Sequence, residues 1–185
     1  MIRNSNTDKH RRGFLKKLIG GAISTLTLQA SHAGAALTGK RELEFFHTHT
    51  GKRLHVVFKR GGKFVPDALK EINEFLSDFR TGDVIEIDPT LLDLIYEIRQ
   101  ELRSTGVYEI ISAYRSPKTN EMLRDRSSGV ARNSQHVLGK AIDVRLTDVA
   151  TSDLRDKAIA MKRGGVGYYA KSNFVHIDTG RVRRW

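Results

Sequence analysis

Two short segments of the chain place histidine and aspartate at close, regular spacings. The first is Ser134-Gln135-His136-Val137-Leu138-Gly139-Lys140-Ala141-Ile142-Asp143, in which a histidine and an aspartate stand seven residues apart with a glycine between them. The second is His176-Ile177-Asp178. Two imidazoles and one carboxylate make a ligand set for one divalent zinc ion with a position left for water, the arrangement of catalytic rather than structural zinc. The chain has no cysteine, which excludes a thiolate-bound structural zinc. Zinc hydrolysis of an amide needs a metal that activates water, a group that takes the water proton, and a cation or dipole that holds the developing oxyanion.

Such ligands must come from rigid elements. Residues 140–146 read as a strand, on which Ala141, Asp143 and Arg145 share one face. Gly139 allows a tight entry, so that His136, in the loop just before, folds back beside Asp143. Residues 174–179 read as a second strand with His176 and Asp178 on one face. If the two strands pair side by side, the ligands converge. Asp178 is on this reading the first candidate for proton acceptor, its alternative role being to orient a ligand or an arginine.

The remaining elements follow from periodicity and breakers. Strands are expected over 42–49 and 53–59 around Thr50-Gly51-Lys52. Pro66 opens a helix whose apolar face is Leu69, Ile72, Phe75, Leu76 and Phe79, ended by Thr81-Gly82. Asp88-Pro89 caps a second helix that runs to Ser104-Thr105-Gly106. A strand over 107–113, a short helix from Ser116-Pro117 through Arg124 and a polar loop over 125–133 come next. A helix over 151–162 and strands over 166–170 and 174–179, joined by Lys171-Ser172-Asn173, complete the order. It predicts one α+β domain, a mainly antiparallel sheet flanked by helices. His47-Thr48-His49 could be a second metal pair, but no carboxylate accompanies it in a recognisable spacing, and it reads as structural or surface.

The formal net charge of the 185 residues is +11. Residues 1–33 read as a targeting segment: Arg11-Arg12-Gly13-Phe14-Leu15-Lys16, a mild apolar run from Leu18 to Leu28, then Ser31-His32-Ala33 with small residues where a signal peptidase needs them. The paired arginines resemble a twin-arginine export signal. The run is too short and too polar to span a bilayer, which takes ~20 apolar residues. The expectation is therefore export to the periplasm, cleavage after Ala33, and no membrane span afterwards. This segment holds six of the 32 basic and one of the 21 acidic residues, so 34–185 carries +6. A basic exported domain could favour an anionic polymer such as cell wall or lipid head groups, or carry no more than a solvated basic face, and composition does not choose between these; export argues against nucleic acid. With no cysteine, no disulfide forms in an oxidising compartment.

The motifs together resemble the zinc D-alanyl-D-alanine carboxypeptidase superfamily, the LAS peptidases, and within it the exported murein endopeptidase branch. The matching residues are Ser112-Ala113-Tyr114-Arg115-Ser116-Pro117-Lys118-Thr119-Asn120, Ser127-Ser128-Gly129-Val130-Ala131 and the stretch 134–143. They continue with Gly164-Gly165-Val166-Gly167-Tyr168-Tyr169 and Asn173-Phe174-Val175-His176-Ile177-Asp178-Thr179-Gly180. The resemblance covers the whole of 34–185 and implies the LAS/Hedgehog-type zinc peptidase fold. It implies one zinc ion per chain on His136, Asp143 and His176. It also implies that Arg115 binds substrate and steadies the oxyanion, as a permanently charged, bidentate donor does well. Ser134 and Tyr168 join Arg115 as expected substrate contacts. Many members of the superfamily place Glu or Asp three residues before the last zinc histidine; here that residue is Asn173. The implied activity is hydrolysis of amide bonds in peptidoglycan cross-links by a monomer. The alternatives are D,D-carboxypeptidase trimming of stem peptides and a zinc-retaining, non-catalytic peptidoglycan-binding module, the latter motivated by Asn173.

Overall fold

The computed structural model describes residues 39–127 and 129–185. The export-signal segment 1–33 lies outside the described residues. Alternation builds strand β1 (Lys40–His47), whose Leu43, Phe45 and His47 are buried, and β2 (Arg53–Arg60) pairs with it antiparallel, burying Leu54, Val56 and Phe58. A two-residue β3 (Lys63–Phe64) closes that edge. Helices α1 (Pro66–Phe75) and α2 (Pro89–Glu101) each place proline in the first turn, where its missing N–H costs nothing. Asp88 caps α2 by accepting from Thr90 N–H at 2.9 Å.

Strand β4 (Tyr108–Ser112) pairs parallel with β1 and antiparallel with β5 (Ala141–Leu146). Between them lie α3 (Pro117–Arg126) and a 3-10 turn (Gln135–Leu138). After α4 (Thr151–Met161), β6 (Gly165–Tyr169) and β7 (Phe174–Asp178) form an antiparallel hairpin, and β8 (Arg183–Arg184) adds a short parallel edge beside β6. The described residues thus form one α+β unit around an eight-stranded, mainly antiparallel sheet of order β3-β2-β1-β4-β5-β7-β6-β8.

The core lies on one face of this sheet. Ile142, Val144 and Leu146 of β5 and Val175 and Ile177 of β7 join Phe45, Phe58, Ile95, Ile98 and Leu154 in one apolar cluster. Tyr108, fully buried there, satisfies its hydroxyl by donating to Ile95 O at 2.8 Å. Side-chain alternation turns the intervening Asp143 and His176 to the opposite face.

One boundary departs from the sequence reading. The apolar face predicts a first helix reaching Phe79, but α1 stops at Phe75. The chain bends because Asp78 is drawn into a different partnership. Its carboxylate accepts from Ser116 N–H and Oγ–H at 2.9 and 2.8 Å, and its own N–H donates to Asp83 O. Phe79 is thereby released from the helix and packs between β1 and the loop that follows it, 5.5 Å from His47 and 4.3 Å from His49.

Candidate metal centre

Asp143 and His176 face each other directly across the β5–β7 ladder, so two of the expected ligands are set by strand register. The third is set by a local turn. Ser134 Oγ accepts from His136 N–H at 3.3 Å and starts the 3-10 turn. Gly139 then ends it at φ +66°, a left-handed conformation that only glycine adopts without strain. A side chain at Gly139 is also barred by space, since its Cβ would stand 2.5 Å from Glu86 O. The result is a buried His136 whose Nε2 lies 3.2 Å from Asp143 Oδ1 and 3.1 Å from His176 Nδ1, with His176 Nδ1 2.8 Å from Asp143 Oδ1.

Outer partners fix the tautomer of each ring. His136 Nδ1 lies 2.6 Å from Ala113 O, a carbonyl that only accepts, so Nδ1 carries the proton and Nε2 presents a lone pair. His176 Nε2 lies 2.8 Å from Asp178 Oδ2, so Nε2 carries the proton and Nδ1 presents its lone pair. Two nitrogen lone pairs and a carboxylate oxygen therefore converge within 3.2 Å of one another. With both rings neutral that arrangement is repulsive, and it is relieved either by a proton on His176 Nδ1 donated to Asp143 Oδ1 or by a metal cation among the three. Tetrahedral zinc bonds of about 2.0–2.1 Å place ligand atoms roughly 3.3 Å apart, so the spacing fits one such ion with little adjustment. Among the described residues this is the only cluster of three metal-ligating side chains.

The charges respond to this crowding. Burial works against ionisation of Asp143, but His136 and His176 hold its carboxyl far below the usual carboxylate range. Burial also pushes the His136 imidazole down. For His176 burial is outweighed by hydrogen bonds to Asp143 and Asp178, which raise its pKa.

Arg115 stands beside the triad, its Nη2 3.5 Å from Asp143 Oδ2. It is held by its neighbours: Tyr114 N–H donates to Leu76 O, Arg115 N–H donates to His136 O, and Ser116, tied to Asp78, caps α3 by accepting from Thr119 N–H. Burial lowers the Arg115 pKa against the opposing pull of Asp143, and its buried Nε has no hydrogen-bond partner among the described residues. A guanidinium so placed has donors to spare for a ligand. It lines a cleft of about 320 Å³ in front of the triad, together with Ser134, Tyr169, Phe174 and Trp185.

The structure bears on three of the sequence readings at this site. Asp178, the first candidate for proton acceptor, is fully buried behind His176, and its oxygens accept five hydrogen bonds. Gly165 N–H, Gly180 N–H and Arg183 Nη1 donate to Oδ1; His176 Nε2 and Arg183 Nη2 donate to Oδ2. A carboxylate has about four lone-pair sites, so none remains for a water proton. Burial opposes its ionisation, but these donors hold its pKa well below normal. Tyr169 lines the cleft and Tyr168 does not: strand alternation turns Tyr168 toward α4, where the Arg155 guanidinium lies 4.5 Å from its ring centroid. Asn173 is placed by its backbone and one hydrogen bond. It sits at φ +52° in the β6–β7 turn, a conformation Asn tolerates, and its Oδ1 accepts from Thr151 Oγ–H at 2.9 Å.

The structure also divides His47 from His49. His47 is buried against Phe75 and Phe79, its pKa lowered by burial and by His49, and its Nδ1 accepts from His49 N–H. His49 is exposed, stacked on Phe79, and lines the cleft. No sequence signal marked Asp78 or Trp185, because each acquires its position through a long-range contact, and the motif that holds Tyr168 and Tyr169 does not say which of the two faces the cleft.

Comparison with known proteins gives the family. A family profile described as peptidoglycan L,D-endopeptidase MepK matches residues 35–185. The chain is 38% identical over 180 residues to peptidoglycan L,D-endopeptidase MepK of Escherichia coli strain K12, covering 96% of this chain and 98% of the relative. It is 40% identical over 181 residues to the probable peptidoglycan L,D-endopeptidase MepK of Haemophilus influenzae, covering 96% of each. No solved structure gives a significant match.

Proposed function

The chain belongs to the peptidoglycan L,D-endopeptidase MepK family, and from that premise we propose that it cleaves L,D amide bonds in peptidoglycan peptide cross-links, with one zinc ion held by His136, Asp143 and His176. It is a metallopeptidase and a murein endopeptidase. The observation that carries the zinc reading is the convergence of three lone pairs, each tautomer fixed from outside, on one point beside Arg115. When bound, zinc supplies a Lewis acid and lowers the pKa of the attacking water to about 7.

The protein's own groups position the ligands and the substrate. Ala113 O and Asp178 hold the protons on the outer nitrogens of His136 and His176, so that both rings keep their lone pairs inward. Arg115 anchors the substrate and donates to the carbonyl oxygen as negative charge develops on it, in a cleft where partial burial strengthens the interaction. Ser134 fixes the turn that carries His136 and lines the cleft beside it. Asp178 acts as a positioning residue. Asn173, in its turn, supports the β6–β7 hairpin; what argues against a non-catalytic module is the family, not this residue.

Among the described residues no helix is long and apolar enough to cross a membrane. We infer that segment 1–33 directs export to the periplasm through a twin-arginine-type signal, which puts the enzyme beside its wall substrate, and that it works there as a monomer. The test is digestion of purified murein with and without chelator, with products identified by mass. New peptides ending at an L,D bond, lost on chelation, are expected. Products ending only at D,D bonds overturn the L,D assignment, and no products at all overturn the catalytic reading.

A further inference from the structure

Trp185 is the single tryptophan of the chain, and the fold holds it firmly at the mouth of the cleft. Its N–H donates to Val166 O at 3.2 Å, and its carbonyl accepts from Tyr168 N–H at 3.0 Å. The indole Nε1–H donates to Tyr169 Oη at 3.0 Å, and the Arg183 guanidinium lies 4.9 Å from the ring centroid. The ring stands 5.1 Å from the imidazole of His176. Beneath it Gly167 leaves no room for a side chain, since a Cβ there would meet the indole at 2.5 Å. Yet Trp185 remains 52% exposed, facing the cleft. A large apolar side chain that is fixed by so many contacts, and still half in water, gives up hydrophobic burial that a neighbouring group could restore.

We propose that Trp185 is a substrate-binding residue: its exposed indole surface is the platform on which an aliphatic segment of the peptide next to the scissile amide lies. The inference rests on the endopeptidase reading above. Three observations select the ligand chemistry. The indole N–H is already used by Tyr169, so the free surface offers apolar contact and no donor. Tyr169 stacks on Phe174 at 4.5 Å, which extends the same aromatic wall along the cleft. A cationic ligand is disfavoured because Arg183 already lies over the ring and Arg80 and Arg115 line the same cleft. Those arginines instead suit a peptide that carries carboxylates beside its aliphatic part. The 5.1 Å separation from His176 places the platform beside the reacting amide, so the peptide rather than the glycan lies on it. Because the ring is held in advance, little ordering entropy is lost on binding.

The experiment compares zinc-loaded wild type, Trp185→Ala and Trp185→Phe on cross-linked peptides freed of sugar and on the same peptides still carrying disaccharide. In Trp185→Ala, KM is expected to rise about five- to ten-fold on both substrates, with kcat within about two-fold and bound zinc unchanged. Trp185→Phe should keep most of the affinity. Titrating wild type with purified product peptides should shift the emission of its one tryptophan saturably. An unchanged KM in Trp185→Ala overturns the proposal, as does a loss confined to sugar-bearing substrate or a fall in kcat and zinc content with KM intact. If Trp185→Ala does not fold, the emission titration and Trp185→Phe decide, and an unresponsive emission overturns it. Wild type that cleaves neither substrate refutes the endopeptidase reading and this proposal with it, whereas cleavage with KM unchanged in the variant refutes this proposal alone.

Discussion

Replacing Asp178 by asparagine keeps the shape of the side chain but turns one acceptor oxygen into a donor amide. The surroundings decide which oxygen is exchanged. The Oδ1 site meets three donors, two of them backbone N–H groups that cannot turn away, while the Oδ2 site meets His176 Nε2 and Arg183 Nη2. The amide nitrogen therefore takes the Oδ2 site. Two charge-assisted hydrogen bonds of about 1.5–3 kcal/mol each are lost. Arg183 is 27% exposed and can turn to solvent, so the net loss of folding stability should be about 2–3 kcal/mol. The larger effect falls on the metal. With no acceptor at Nε2, His176 loses what keeps its proton on the outer nitrogen, and its Nδ1 lone pair is no longer assured. Loss of such an outer partner weakens metal binding by about 10–100-fold. Competition with a chromophoric chelator measures the zinc affinity, and turnover is then read at saturating zinc, where it should recover to within roughly ten-fold. Wild-type zinc affinity with a loss of turnover of about 10²–10⁴-fold, the contribution of a general base, would refute the positioning role and return Asp178 to the role of proton acceptor.

Other predictions follow from the same geometry. His136→Ala, Asp143→Ala and His176→Ala should each abolish one-equivalent zinc binding and murein cleavage, with far-UV circular dichroism unchanged. Arg115→Ala should retain zinc but lose about 10²–10³-fold in kcat, the effect of removing an oxyanion donor; a change in KM alone would show that it only binds substrate. The pH dependence of zinc binding has a definite sign. In the metal-free protein His176 keeps its proton to higher pH than a free imidazole because Asp143 and Asp178 favour the charged form. Zinc must displace that proton, so apparent affinity should fall as pH drops from about 8 to about 6, and isothermal titration should record proton release. The metal-free protein should also lose stability as pH falls below about 4, since the depressed pKa values of Asp143 and Asp178 stabilise the fold only while both are ionised.

Much of the site was legible because its information is local. His136, Gly139 and Asp143 lie within one turn and one strand, where spacing alone states which side chains share a face. His176 and Asp178 follow the same rule on β7. Strand alternation misleads where the phase is set by a partner strand, as in choosing Tyr168 over Tyr169: both are aromatic, and only the pairing of β6 with β7 and the position of α4 say which faces the cleft. The end of α1 was illegible for a related reason. Its apolar periodicity continues to Phe79, and the helix stops because Asp78 meets Ser116, a residue 38 positions away.

Residue identity and spacing within single elements were enough to read the candidate ligand types, the absence of thiolates, the α+β order of elements and the family. Tertiary structure alone decided which groups act on which. It placed Asp143 opposite His176 by strand register and surrounded Asp178 with donors that leave it no free lone pair. It also brought Trp185 against His176 at the cleft mouth. The physical reason is the same throughout: a side chain's chemistry is written in its type, but its role depends on which lone pairs and faces its neighbours leave free, and those neighbours come from distant parts of the chain.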